Sequence, residues 1–172
     1  EAMAGNQELW ERLSRGDAAA FEEFYRQESP RVRNFLRLYV GTPQAADDIA
    51  QEAFMQLWRS PNGFDPTRGT LKAYVFGIAR KRAADWWRRQ RPAGDLSAEP
   101  AQARGETTAL LEDALARLAP DERGLLWLRE VEGYSYDELA EILGIPLGTV
   151  KSRLFAARER LRALWLSRPR ES

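Results

Sequence analysis

The sequence predicts an all-α protein built as two small helical domains joined by a flexible linker. Apolar residues recur at helical spacing nearly throughout, while long alternating apolar–polar runs enriched in β-branched residues are missing. One stretch, RPAGDLSAEPAQARGE, interrupts this pattern with Pro, Ala and Gly and few large apolar residues. It reads as a linker of about 15 residues. The 172 residues allow two domains of about 70–90 residues each, placed at 1–91 and 106–168 with the linker at 92–105.

In chain order, a short helix is expected from Gln7 to Arg15, with Asn6 as N-cap and Gly16 as its stop. Asp17 caps a second, with Phe21, Phe24 and Tyr25 on one stripe. Pro30 opens a third, running through Val32, Phe35, Leu36 and Tyr39 to Gly41. Thr42 and Pro43 start the next, which ends near Ser60 and Pro61; its buried stripe is Ala46, Ile49, Ala50, Ala53, Phe54 and Leu57. PNGFDPTRG is turn chemistry. A long helix follows from about Thr70 to Gln90, with Leu71, Tyr74, Val75, Ile78 and Ala79 inward. Beyond the linker come four helices, Thr107–Leu118, Pro120–Val131, Ser135–Leu143 and Leu147–Leu166.

Composition narrows the chemistry. There is no cysteine and no histidine, which excludes disulfides, thiolate nucleophiles, Cys/His zinc sites and histidine-based catalysis. No cofactor and no bound metal are expected, and an enzyme is disfavoured for want of a recognisable carboxylate or phosphate-binding site. No apolar run reaches the ~20 residues of a membrane span, and the N-terminus lacks the pattern of a secretory signal. A cytoplasmic protein without membrane insertion, monomeric when free, is the expectation. The chain ends soon after its last helix, at SRPRES, so no C-terminal regulatory domain is expected.

Net charge is zero, yet charge is segregated. From Lys72 to Arg91 seven bases face one acid, a net of +6. From Glu106 to Ile142 ten acids face three bases, a net of −7; from Leu143 to Arg170 seven bases face one acid, again +6. Two basic blocks around an acidic one suggest two polyanion-binding surfaces on a chain whose acidic parts face something else. The first block, ARKRAADWWRRQR, interleaves bases with Trp86 and Trp87, a composition that suits nucleic acid, with charge for phosphates and rings for bases. Either tryptophan fits two roles, core packing or DNA contact.

SYDELAEILGIPLGTVKSRLFAARERL is the most specific stretch. Ser135 with Glu138 forms a capping box, Leu139, Ala140, Ile142 and Leu143 a buried stripe, and Gly144 a turn where a Cβ is unwelcome. Thr149 caps the next helix or sits in its first turn; Val150, Leu154, Ala157 and Leu161 face inward. This is a helix-turn-helix, whose second helix would enter a DNA major groove. Lys151, Ser152, Phe155, Arg158 and Arg162 are left outward, with Phe155 suited to a thymine methyl. The bland alternative is an ordinary helix pair with a solvated basic face.

At this point the chain resembles the extracytoplasmic-function (ECF) group of bacterial sigma factors in the sigma-70 superfamily. LAPDERGLLWLREVEGYSYDELAEILGIPLGTVKSRLFAARERL is similar to region 4. GDAAAFEEFYRQESPRVRNFLRLYVG resembles region 2.1, AADDIAQEAFMQLWRS region 2.2, and GTLKAYVFGIARKRAADWWRRQR regions 2.3 and 2.4. The resemblance covers nearly the whole chain. It implies a subunit that binds core RNA polymerase, directs it to promoter DNA and helps open the duplex, commonly held in check by an anti-sigma factor.

Site roles follow from the resemblance. Asp48, Gln51 and Glu52 would meet core polymerase. Asn62, Phe64, Lys72, Arg80, Lys81, Trp86, Arg88 and Arg89 would hold the −10 element, and Thr149, Lys151, Ser152, Arg153, Phe155 and Arg158 the −35 element. In two places the chain departs from some relatives: Lys81 stands near the place of an Asn that reads an extruded base, and Ala156 replaces a second Arg beside Phe155. The competing reading is a stand-alone helix-turn-helix regulator that binds an operator without polymerase.

Overall fold

The computed structural model describes residues 2–90 and 106–167. Among them are eight α-helices, one 3-10 turn and no strand. The reading of 92–105 as a linker lies outside the described residues.

Helix α1 spans Ala2–Ser14, starting before the predicted cap. Asn6 therefore sits inside the helix, and its side chain serves a different element. Its amide donates to the Gly69 carbonyl (3.0 Å) and its oxygen accepts from the Leu71 N–H (2.7 Å). It thus helps fix the start of a helix 65 residues away.

Helix α2 runs unbroken over Ala18–Val40 with Pro30 inside it, where two helices were expected. A mid-helix proline costs about 3 kcal/mol or more through a lost hydrogen bond and a clash. Phe24, Val32, Phe35, Leu36 and Val40 are buried on either side of it, and each large apolar side chain contributes roughly 1.5–3 kcal/mol. Continuous packing therefore outweighs the local break. Asp17 caps the helix as predicted, accepting from the Ala20 N–H (3.1 Å). That bond, reinforced by the Arg12 guanidinium at 2.8 Å, lowers the pKa of its carboxyl.

Helix α3 covers Pro43–Arg59 and buries the six predicted residues. A 3-10 turn at Pro61–Gly63 leads to α4, Leu71–Gln90, whose start is also held by the Thr70 hydroxyl accepting from the Ala73 N–H (3.1 Å). Along α4 the sequence reading missed Ala73 and Phe76, both buried, and assigned Tyr74 inward, where it is half-buried. Then come α5 (Glu106–Ala116), α6 (Pro120–Glu130), α7 (Tyr136–Leu143) and α8 (Leu147–Leu166).

Helices α2, α3 and α4 pack mutually, with α1 against α2 and the 3-10 turn; α6, α7 and α8 form a second group, with α5 on α8. The groups are not separate bodies in the structure. α6 packs on α2 and α7 on α4, and one continuous core extends from Leu13 to Ala157. Gly124 allows the α2–α6 approach: a Cβ there would lie 2.8 Å from the Tyr39 ring and 3.0 Å from that of Phe35. No helix among the described residues is long and apolar enough to cross a membrane.

Candidate nucleic-acid and partner interfaces

Asp48, Gln51 and Glu52 are exposed. Their i, i+3, i+4 spacing on α3 sets them on one helix face, opposite the buried stripe. Asp47 is drawn aside by Arg37 (3.5 Å) and Arg33 (3.7 Å). Arg82 of α4 reaches across to Gln56 (2.8 Å) and lies 4.0 Å from Glu52. The sequence reading counted Arg82 among the bases without assigning this role; here it ties the acidic face to the basic helix beside it.

That neighbourhood is an open groove of about 880 Å³. One side carries Asp48, Glu52 and Gln56, another Arg80, Lys81, Trp86 and Arg89, and the turn at Glu141–Gly144 closes it. The two surfaces that the sequence treated separately thus meet in one place. Lys81, Arg88 and Arg89 are exposed, and Arg88 is paired with Asp85 at 3.0 Å. Arg80 is half-buried, with its Nε buried and lacking a hydrogen-bond partner.

The tryptophans divide the roles left open. They meet edge to face at 5.1 Å. Trp87 donates its Nε1 hydrogen to the Tyr39 carbonyl (2.9 Å), anchoring α4 to α2, whereas Trp86 lines the groove. In the preceding loop Asn62 is exposed, but Phe64 is buried, its ring 5.3 Å from that of Tyr74. Lys72 is half-buried with its ammonium 5.0 Å from the centre of the Tyr134 ring.

The helix-turn-helix forms as its local signals require. The Ser135 hydroxyl accepts from the Glu138 N–H (3.1 Å), and the Glu138 carboxylate accepts from the Ser135 N–H (3.0 Å). Gly144 ends α7 at φ 64°, a left-handed conformation that favours glycine. Val150, Leu154 and Ala157 are buried, with Leu161 half-buried. Thr149 lies in the first turn of α8, half-buried, and Pro146 is the N-cap residue. Lys151, Ser152, Arg153 and Phe155 project outward, Phe155 with 68% of its surface exposed. Arg158 is exposed but held by Glu130 at 2.6 Å, which raises its pKa.

Sequence reasoning missed the groups that join the two halves. Arg123 is buried and donates to the carbonyls of Ala116 (3.0 Å), Leu118 (3.3 Å) and Tyr39 (3.2 Å). The Tyr39 hydroxyl bonds to Asp121, and burial together with that carboxylate raises its pKa. Nothing local in PDER separates Arg123 from a solvated arginine. No group of three or more acidic side chains placed to hold a metal occurs among the described residues.

A helix-turn-helix with an outward basic and aromatic face, in a chain that carries a second basic and aromatic helix, has the surfaces of a DNA-binding protein. Residues 24–93 match the family model of Sigma-70 region 2 and residues 108–161 that of Sigma-70 region 4. The chain is 35% identical to the ECF RNA polymerase sigma factor RpoE of Cereibacter sphaeroides, over 85% of this chain and 86% of that one. It is 32% identical to the RNA polymerase sigma-H factor of Pseudomonas aeruginosa, over 90% of each. The fold matches that of the sigma factor RpoE in complex with the anti-sigma factor NepR from Bartonella quintana, at TM-score 0.69 and 26% identity over 87% of this chain and 98% of that one. The chain belongs to the ECF sigma factors of the sigma-70 family.

Proposed function

We infer that this ECF sigma factor binds core RNA polymerase, brings it to promoter DNA and takes part in opening the duplex, acting in the cytoplasm. It directs an enzyme rather than performing catalysis. The observation that carries the residue assignment is the shared groove, where the acidic face of α3 borders the basic and aromatic face of α4. An acidic, amide-bearing surface suits a basic protein partner, so Asp48, Gln51 and Glu52 are assigned to the polymerase. Arg80, Lys81, Trp86, Arg88 and Arg89, with Asn62 and Lys72, are assigned to the −10 strand; Phe64, buried against Tyr74, instead supports the loop that carries Asn62. Captured unpaired bases there offset an opening cost of a few kcal/mol per flipped base, as an order of magnitude. Thr149, Lys151, Ser152, Arg153, Phe155 and Arg158 are assigned to the −35 element. Functional division falls at 1–91 and 106–168, with 92–105 connecting.

Control by an anti-sigma factor is part of the proposal, supported by the NepR complex of the Bartonella quintana relative. Run-off transcription with purified core polymerase and a promoter library tests the reading. Specific transcripts are expected, and they disappear in the double variant Gln51→Ala, Glu52→Lys. Sequence-specific DNA binding by the chain alone, with no transcript, would instead establish a stand-alone regulator.

A further inference from the structure

We propose that α1 sets the reading conformation of the loop between Pro61 and Gly69: Asn6 and Trp10 are positioning residues that act on −10 base selection through that loop and touch no DNA themselves. The proposal rests on the sigma-factor reading above and adds to it two residues outside the −10 set.

Both ends of the loop are tied to one face of α1. Trp10 donates its Nε1 hydrogen to the Pro61 carbonyl (3.1 Å) at the near end. At the far end Asn6 donates to the Gly69 carbonyl (3.0 Å) and accepts from the Leu71 N–H (2.7 Å). Only one orientation of the amide satisfies a carbonyl and an N–H at once. The i, i+4 spacing of Asn6 and Trp10 puts them on the same side of the helix, about 6 Å apart along its axis. The helix itself packs against α2 and the 3-10 turn, so the two anchors belong to the folded body and not to the loop.

Between the anchors the loop is held from inside. Phe64 is buried, with its ring 5.3 Å from that of Tyr74. The Tyr74 hydroxyl lies 2.7 Å from where a Cβ on Gly63 would stand, so a side chain there would displace it. The Asp65 carboxylate accepts from the Thr67 N–H (2.9 Å) and hydroxyl (2.6 Å), and the Asp65 carbonyl accepts from the Arg68 N–H (3.1 Å). Asn62, Thr67 and Arg68 are left exposed as a polar edge. A loop fixed in this way before it meets DNA loses little conformational entropy on binding. It also presents its polar groups in one arrangement. Base discrimination depends on that, since a donor or acceptor free to swivel accepts more than one base edge.

Two substitutions separate positioning from folding. Trp10→Phe keeps an aromatic ring and removes the N–H. Asn6→Asp keeps an acceptor for the Leu71 N–H, where a helix start favours a carboxylate, but sets an oxygen against the Gly69 carbonyl in place of a donor. Run-off transcription with core polymerase, from templates randomised at the −10 and −35 elements, reads both preferences in one reaction. In the double variant Asn6→Asp, Trp10→Phe, discrimination between bases at the −10 element is expected to fall about threefold to tenfold, the range of one or two lost hydrogen bonds. Preferences at the −35 element should stay as in the parent. An unchanged −10 profile overturns the proposal, whether transcription is full or is reduced alike on every template. A parent chain with no promoter-specific transcript would sink the sigma-factor reading instead.

Should the double variant fail to fold, hydrogen exchange of the unmodified free chain decides. The amides of Phe64, Thr67, Arg68 and Leu71 are all bonded in the structure. They are expected to exchange about tenfold or more slowly than the same amides in a free peptide of residues 60–71. Exchange at the peptide rate would mean a loop that α1 does not hold, and it refutes the proposal.

Discussion

Replacing Arg123 with Met tests the energetics of the junction. Arg123 retains 3% of its surface exposed and donates to three carbonyl oxygens. Met fills a similar volume, so the change removes charge and donors without opening a large cavity. Two opposing terms follow. The guanidinium no longer has to be desolvated, a cost whose sign is visible in the lowering of its pKa by burial. Against this, the carbonyls of Ala116 and Leu118 at the end of α5 lose their donor, and a buried unsatisfied group costs about 1–3 kcal/mol. The Tyr39 carbonyl keeps the Trp87 N–H and suffers less. The difference is a net destabilisation of about 2–4 kcal/mol. At this chain length it corresponds to a fall in Tm of roughly 5–15 °C, read by far-UV circular dichroism. Arg160→Met is the control. Its pair with Glu122 at 3.2 Å is on the surface, and its loss should cost no more than about 1 kcal/mol. An Arg123→Met protein as stable as the parent would refute the reasoning, because desolvation would then outweigh the carbonyls.

Ser135→Ala removes one side of the capping box on α7 and is expected to cost about 1 kcal/mol, seen as a fall in Tm of roughly 2–4 °C. Phe155→Ala should leave Tm unchanged, because the ring is exposed. The same change should weaken transcription from a cognate promoter by about tenfold, the order of one lost apolar base contact. Glu28→Gln tests burial. Desolvation raises the Glu28 pKa above 4.5 despite Lys72 and Arg31 nearby, so the parent loses stability as pH rises from 4.5 through the folded-state value. The variant should therefore melt above the parent at neutral pH and lose that advantage below pH 4.5; an equal gain at both would contradict it.

Sequence alone disclosed most of what is local. The six-residue stripe of α3 was legible because a surface helix with one buried face repeats its apolar positions with little interference. The helix-turn-helix was legible because capping box, left-handed glycine and inward stripe coincide within a short span. What stayed hidden depends on residues far apart in the chain. Asn6 looks like a cap for its own helix and instead bonds across 63 and 65 residues. Pro30 looks like a helix start until the core on both sides of it is counted. Phe64 sits in a turn-rich segment and is assigned by resemblance to the −10 element, yet it is buried against Tyr74. The burial of Arg123 is set by the approach of α6 to α2, for which no short motif speaks.

Segregated charge with zero net charge has a structural reason. Acids of the 106–142 block lie against bases elsewhere rather than facing solvent alone: Glu130 on Arg158, Glu122 on Arg160, Glu132 on Arg31. The first two ties reach into α8. Exposed pairs of this kind contribute about 0–1 kcal/mol, and a DNA phosphate offers the same arginine a partner with counterion release added. On the proposed assignment of Arg158 to DNA, exchanging Glu130 for phosphate would therefore cost little once the backbone is in place. In the absence of a correctly placed duplex the acid remains and lowers the attraction of α8 for any polyanion. The chain alone is therefore expected to bind DNA in general only modestly, which a salt titration of its binding to a non-promoter duplex would check. That is the behaviour required of a subunit whose promoter choice is exercised from within a polymerase.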